Sequence, residues 1–465
     1  MRYDGPRSLT GNGRWTSATA ALAVCTVATA TVLVAGSKSA VVLIVAVAVV
    51  LASYWWMITA EARRPSLSLR AVVVAIAVVL GAAVTTVPRQ SGDVWSYAMY
   101  GRIVAVHHAS PYHNVPADYP NDPMLGFVSP TWRHTGSVYG PAFTAFSAAV
   151  APLGGDSGAR TRFLYQATAA LAVAGALVLV WRRSRSAAAI AWLGLNPVIG
   201  LEVVNGGRND AMIGLGILGA ILLVERGKLR TSGLVTGAAA AIKATGVLAG
   251  AGLAIWTWRR TGFRRAAIFA AATAVTVVGA YVAAGGAAAL GPLEHASTQV
   301  SQVSVWDAPP HFGFPAIPTT AATVVTAAVV ALCLWRHTRD DSVQAGIAGP
   351  AAFLLAAPYV LPGYLGWVLP GAALEHNRRT ARIIALQATL LVGAYEIARV
   401  RTSAVGGALS GAAKLLAPLL GIALLVAYVA RPPRRAHEVA GVVAAGAQGW
   451  ANDRPPSTAN IRSSS

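Results

Sequence analysis

Apolar runs of about 20 residues recur along the chain, each long enough to cross a bilayer as a helix. In order they fall near 16–36, 39–60, 67–87, 140–154, 162–181, 187–204, 210–225, 232–258, 266–288, 319–335, 342–358, 361–374, 383–398 and 411–430. Strands are excluded as spanning elements, because an isolated strand in lipid leaves its backbone groups unpaired. The pattern predicts an all-α polytopic membrane protein, a bundle of about 11–14 transmembrane or re-entrant helices. The first run lacks a small-residue cleavage signal and is followed at once by another, so it reads as a retained helix.

One interval breaks the pattern. Residues 88–138 form the longest polar, aromatic-rich stretch, and hold Asp93, Asp118, Asp122, His107, His108, His113 and His134. The whole chain has only 17 acidic residues and nine histidines, so this concentration marks an extracytoplasmic loop that holds a site. Periodicity predicts a helix over 93–106. Asp93, Tyr97 and Tyr100 share one face, while Trp95, Met99, Ile103 and Val106 form the other. That arrangement predicts an interfacial amphipathic helix, polar side toward a cleft and apolar side toward lipid.

The net charge of +20 would suit a nucleic-acid binder, but the Lys and Arg sit in short clusters between apolar runs. That is the positive-inside pattern of cytoplasmic loops. The clusters are Arg63/Arg64, Arg182/Arg183/Arg185, Arg226/Lys228/Arg230, Arg259/Arg260/Arg264/Arg265, Arg336/Arg339, Arg378/Arg379/Arg382 and Arg431/Arg434/Arg435. If all face the cytoplasm, an even number of crossings separates any two. Three runs lie between 64 and 182, so one does not cross; 140–154, short and carrying Pro141 and Pro152, is the candidate. The run 232–258 must bend near Lys243–Gly246. Arg399 and Arg401 stand against the scheme. It makes residues 1–15 cytoplasmic, 16–430 the membrane domain, and 431–465 a disordered cytoplasmic tail. It also puts the Asp93 loop, the turn NGGRND at 205–210, the Lys243 bend, the loop 289–318 and the turn PYVLPGY at 358–364 on the extracytoplasmic face, as one composite site. Cys25 and Cys333 lie inside apolar runs, so no disulfide framework is indicated.

Within that site several residues invite chemistry. Asp93 either caps its helix or accepts a proton from a hydroxyl nucleophile. Asp118 and Asp122, in PADYPNDP, read first as turn residues. With His107, His108 and His113 they are compatible with a divalent cation, but their spacing matches no firm ligand pattern; no cofactor is indicated. Trp132, Arg133 and Tyr139 suit sugar stacking and phosphate contact, or an interfacial aromatic belt. Asn205, Arg208, Asn209 and Asp210 gather hydrogen-bonding groups at a helix junction, where a phosphate can be held; the alternative is an Arg–Asp pair that satisfies itself. Lys243, deep in AAAAIKATG, should face a polar cavity or else snorkel. Trp306, Asp307 and His311 are weaker candidates, and Tyr364 and Trp367 could stack on a sugar or isoprenoid.

The motifs DVWSYAMYGRIVAVHHASPY, SVYGPAF, LNPVIGLEVVNGGRNDAMIGLGILGAILL, GLVTGAAAAIKAT and YVLPGYLGWVLP occur in that order. Over about residues 60–430 the chain resembles the actinobacterial polyprenol-phosphate-mannose-dependent α-1,6-mannosyltransferases of the GT-C superfamily. The resemblance implies a polyprenyl-phosphate sugar donor, a lipid-anchored glycan acceptor, and a plasma-membrane enzyme that elongates a lipomannan core with inversion. It implies that Asp93 is the catalytic carboxylate, with Tyr97, Tyr100, Arg102 and Tyr112 of the first motif lining the substrate and Arg208 and Lys243 stabilising phosphate charge. Two positions depart from the pattern: relatives carry His where this chain has Arg208, and Trp where it has Gly363. A transferase for another sugar (arabinose, glucose) and a lipid-carrier flippase are the rival readings. A flippase needs access from both sides and often shows internal repeats; here the candidate motifs lie on one side and no clear repeat is seen.

Overall fold

The computed structural model describes residues 16–430, apart from 36–38, 90–91, 293–298, 302 and 401–403. The expected cytoplasmic start (1–15) and tail (431–465) therefore lie outside the described residues. Every regular element described is helical, and the protein is an all-α polytopic membrane protein.

The chain runs through α1 (Ser17–Ala35), α2 (Ala40–Arg63), α3 (Leu69–Thr85), α4 (Asp93–Ala105), α5 (Pro141–Gly154), α6 (Gly158–Ser184), α7 (Ala187–Gly194), α8 (Asp210–Glu225), α9 (Leu229–Ile242), α10 (Val247–Thr261), α11 (Phe263–Ala283), α12 (Thr319–His337), α13 (Ser342–Ala356), α14 (Arg379–Ala398) and α15 (Ala404–Val429). Seven of these, α1, α2, α6, α11, α12, α14 and α15, are long and apolar enough to cross a bilayer. Starts are set by local chemistry: Ser68, Ser157, Ser186 and Asp341 cap α3, α6, α7 and α13 by accepting a backbone N–H three residues on. One large core joins α1–α3, α6–α8 and α13–α14, with side chains such as Val50, Trp192, Ile221 and Ile384 fully enclosed.

Four local departures from regular helices shape the site. The run 187–204 is not one straight helix: after α7 the chain bends by 47° at Asn196–Pro197 and continues as a π-helix, Val198–Val204. The run 232–258 breaks where a bend was expected. Lys243 is extended (φ −152°, ψ 127°), a 3-10 turn occupies Ala244–Gly246, and α10 follows. The run 361–374 does not span. It is a 3-10 stretch, Pro362–Trp367, and a five-residue helix, Leu369–Ala373, almost wholly buried; its proline N–H groups are missing at 362 and 370. At 14 residues, α5 is about 21 Å long, short of the roughly 30 Å hydrocarbon core.

The expectation that α4 lies against lipid is corrected. Met99 and Ile103 are fully buried, as are Tyr97 and Tyr100 on the opposite face. One side packs with Phe143, Val150 and Tyr165, the other with Met124 and Val128 of the following loop. Alternation along a helix identifies an apolar face but not what covers it, and here the loop folds back over it.

Candidate active site

Asp93 is the first residue of α4 and follows the stretch that links it to α3. That stretch is pinned by Asn205, which is fully buried: its Oδ1 accepts the Arg89 amide (2.8 Å), and its Nδ2 donates to the Thr86 hydroxyl (3.0 Å) and to the Ala83 (3.2 Å) and Val87 (3.3 Å) carbonyls. Gln166 of α6 binds the same knot, donating to the Thr86 and Asn205 carbonyls. Asn205 is thus a brace for the approach to Asp93. A carboxylate at a helix N-terminus is favoured by the unpaired amides and the axial dipole.

The partner of Asp93 comes from the turn after the π-helix. Gly207 adopts φ +58° there, a left-handed conformation that glycine enters freely. Arg208 follows, with Nη1 3.0 Å from Asp93 Oδ2 and Nη2 3.8 Å from Glu202 Oε2. Arg208 and Glu202 are buried (side chains 4% and 1% exposed), whereas Asp93 is 22% exposed. Arg208 Nε and Nη1 make no aligned hydrogen bond among the described residues, so this ion pair leaves guanidinium donors unspent.

A second charged pair lies beside the first. Asp210 opens α8 and is 1% exposed; its Oδ1 accepts from Lys243 Nζ (3.3 Å) and from Trp367 Nε1 (2.6 Å). Lys243 Nζ stands 3.6 Å from the ring centre of Tyr364 and 4.9 Å from that of Trp367, whose rings stack 5.0 Å apart. The extended backbone at Lys243 ends α9 and sends its ammonium to this corner, where a carboxylate and two aromatic faces replace water. The Gly140 amide donates to the Ile242 carbonyl (2.9 Å), tying the end of the polar loop to the break.

These contacts join four distant intervals: the start of α4, the 205–210 turn, the Lys243 break and the 362–367 stretch. A scan against family models gives the same direction. Residues 9–262 match the model described as "Alpha-(1->6)-mannopyranosyltransferase, N-terminal domain". The chain belongs to this family. Asp93, Arg208, Asp210 and Lys243 lie inside the matched residues of this mannopyranosyltransferase-family protein; Tyr364 and Trp367 lie beyond them. The chain is similar to Alpha-(1->6)-mannopyranosyltransferase A of Mycobacterium tuberculosis, 28% identical over 350 residues that cover 64% of each chain. It is also similar to the protein of that name from Corynebacterium glutamicum, 30% identical over 171 residues, 35% of this chain and 34% of that one. The chain therefore matches under two thirds of the length of either relative.

Other residues singled out from sequence sit apart from this cluster or build its walls. Arg102 points away from Asp93: its Nε lies 2.9 Å from both Asp122 oxygens, Nη1 donates to the Gly155 carbonyl (2.9 Å), and Nη2 lies 3.1 Å from Asp156. His107 Nε2 is 2.8 Å from Asp122 and its ring stacks on Tyr119. Burial alone would raise the Asp122 carboxyl; Arg102, the Met124 amide and His107 outweigh it and hold the carboxyl below its ordinary value. Asp118 accepts the Val115 amide, as a turn residue. Among the described residues no three His, Cys, Asp or Glu groups converge for a metal ion.

Tyr97 meets Tyr139 edge-on at 4.7 Å, and Tyr100 donates to the Thr135 carbonyl (2.9 Å). The Tyr112 hydroxyl sits 3.0 Å from that of Thr144 and 3.2 Å from the Tyr139 carbonyl, and burial pushes it up to about 12. Trp132 leans on the Met99 and Met124 cluster, and Arg133 Nε donates to the Val128 carbonyl (3.0 Å). Asn209 is 2% exposed, its amide without a hydrogen bond among the described residues. His311 pairs with Asp307 at 3.1 Å on the exposed 308–311 turn. Sequence reasoning missed Glu202. A lone carboxylate in VIGLEVV obeys the same rule that exposed Lys243: an ionisable group in an apolar run has a partner.

Proposed function

We propose that the protein is an extracytoplasmic-facing membrane mannosyltransferase that moves mannose from polyprenyl-phosphate mannose to a lipid-linked mannan acceptor, elongating an α-1,6 core. The observation that carries the reading is the Asp93–Arg208 pair: a reachable carboxylate held 3.0 Å from a buried guanidinium with donors to spare. An incoming donor phosphate competes for Arg208 and leaves Asp93 free to act as base. Asp93 takes the proton of an acceptor mannose hydroxyl, the oxygen attacks the anomeric carbon, and the carbon–oxygen bond to phosphate breaks with inversion. The electron pair leaves on polyprenyl phosphate, whose charge Arg208 and Lys243 meet. Glu202, on the far side of Arg208, positions it and offsets its charge. The bilayer holds both lipid-linked substrates, which confines the encounter to its surface.

The test is transfer of radiolabelled mannose from polyprenyl-phosphate mannose by purified wild-type chain and Asp93→Asn. Losing a positioned base lowers the rate by about 10²–10⁴-fold. Equal rates would remove Asp93 from its role. Activity with polyprenyl-phosphate arabinose or glucose, and none with mannose, would keep the mechanism and replace the sugar.

A further inference from the structure

A cavity of about 1240 Å³ opens at the opposite end of α3 from Asp93. With 17 residues in α3, the two regions stand about 25 Å apart along that helix. None of the cavity's walls is shared with the Asp93 cluster. They are the end of α2, the link to α3, the start of α7, and residues 376–382 between the buried 362–373 stretch and α14.

The lining joins two chemistries. Trp55, Ile58, Leu67 and Trp192 supply apolar surface, while Arg63, Arg185 and Arg382 supply positive charge. Among the described residues, none of these three guanidiniums has a carboxylate within ion-pair distance. The carboxylate in the wall, Glu61, is engaged by the Ser66 (2.8 Å) and Leu67 (3.1 Å) amides. Both α3 and α7 begin at the cavity, and their axial dipoles add to the positive field.

Arg185 adds an independent sign. Its backbone is left-handed (φ 49°, ψ 28°) where α6 ends, a position that usually takes Gly or Asn. An arginine is kept there against backbone preference, and its side chain lines the cavity. The space exceeds the roughly 300–1,000 Å³ of ordinary ligand sites, so it admits a headgroup and part of a tail.

We propose that this cavity binds the phosphate headgroup of a membrane lipid, with the arginines on the phosphate and the lipid's first apolar segment along Trp55 and Trp192. Charge clusters at this end of the bundle mark the side that faces an anionic leaflet, where such a lipid is at hand. The site is separate from sugar transfer and does not depend on it.

The test uses the full chain in a neutral detergent, titrated with dihexanoyl phosphatidic acid, dihexanoyl phosphatidylcholine or inorganic phosphate, with the unfolding temperature as readout. Phosphatidic acid is expected to stabilise wild type at the lowest concentration, inorganic phosphate at a concentration at least tenfold higher (order of magnitude from the apolar contacts it lacks), and phosphatidylcholine not at all. The double variant Arg63→Gln/Arg382→Gln and the single variant Arg185→Gly should each need about tenfold more phosphatidic acid. Arg185→Gly relieves the left-handed backbone, so its unliganded unfolding temperature should equal or exceed wild type; a weakened response there cannot come from misfolding. Unchanged midpoints in the variants, or an equal response to phosphatidylcholine, would overturn the site. Equal midpoints for inorganic phosphate and phosphatidic acid would overturn the lipid assignment.

Discussion

Gly363 lies directly under the side chain of Arg208. A Cβ built at 363 would overlap Arg208 Cδ and would stand 2.7 Å from Nε. The two positions where this chain departs from the family resemblance are thus in contact: the longer cation at 208 occupies room that the missing side chain at 363 provides. The pair also explains how a buried guanidinium reaches Asp93, since its stem lies flat over the 362–367 stretch.

Gly363→Trp alone is expected to force Arg208 off Asp93. Overpacking of this kind costs about 1–3 kcal/mol, and transfer should fall at least about tenfold. Adding Arg208→His should recover part of the loss, because the shorter ring vacates the space. A double variant as slow as the product of the two single losses would show that the positions are independent.

Lys243 and Asp210 are a buried pair, so removing one partner leaves the other uncompensated. Lys243→Met should destabilise the protein by about 3–5 kcal/mol. Lys243→Met/Asp210→Asn should regain much of that stability yet stay inactive in mannose transfer. Thermal unfolding and transfer assays on the same preparations separate the two roles. Recovery of activity together with stability would make the lysine structural only.

The polar loop should carry an acid-sensitive clasp. The fold holds Asp122 below the ordinary carboxyl value of 3.8. Its ionised form is therefore favoured by folding, and the stabilisation is complete above that value and lost as pH falls through the lower, folded value. Hydrogen exchange of residues 102–124, followed from about pH 5 to about pH 2, should show the loop opening at the acid end. Asp122→Asn should open the loop at every pH and remove the acid dependence.

Sidedness is open to labelling in intact cells. A cysteine replacing Asp118 should react with an impermeant maleimide, and one replacing Lys228 should not. The native Cys25 and Cys333 are buried and give little background. Reaction at 228 from outside would invert the arrangement on which the transfer mechanism depends.

The membrane helices were legible because burial in lipid imposes length and hydropathy directly on the sequence. The break at Lys243 was legible for a related reason: an ammonium in an apolar run must be housed. Arg102 was not, because its partner Asp122 is 20 residues away in a loop whose path no periodicity encodes. The covered face of α4 was hidden likewise, since Met124 and Val128 come from that loop. Asn205 was visible as a polar residue at a junction, but its work as a brace depends on carbonyls from α3 that only folding brings near.

The π-helical stretch Val198–Val204 has a consequence for how this architecture tolerates insertions and deletions. A π-turn carries one more residue than the α-turn it replaces. Trimming a single residue from this stretch would let it relax to α geometry, and everything downstream would rotate by about 100° about the helix axis. Arg208 would then face a neighbouring helix and not Asp93, with no change in any side chain. Spacing between residues 198 and 208 is accordingly under as tight a constraint as the identity of the residues at its ends.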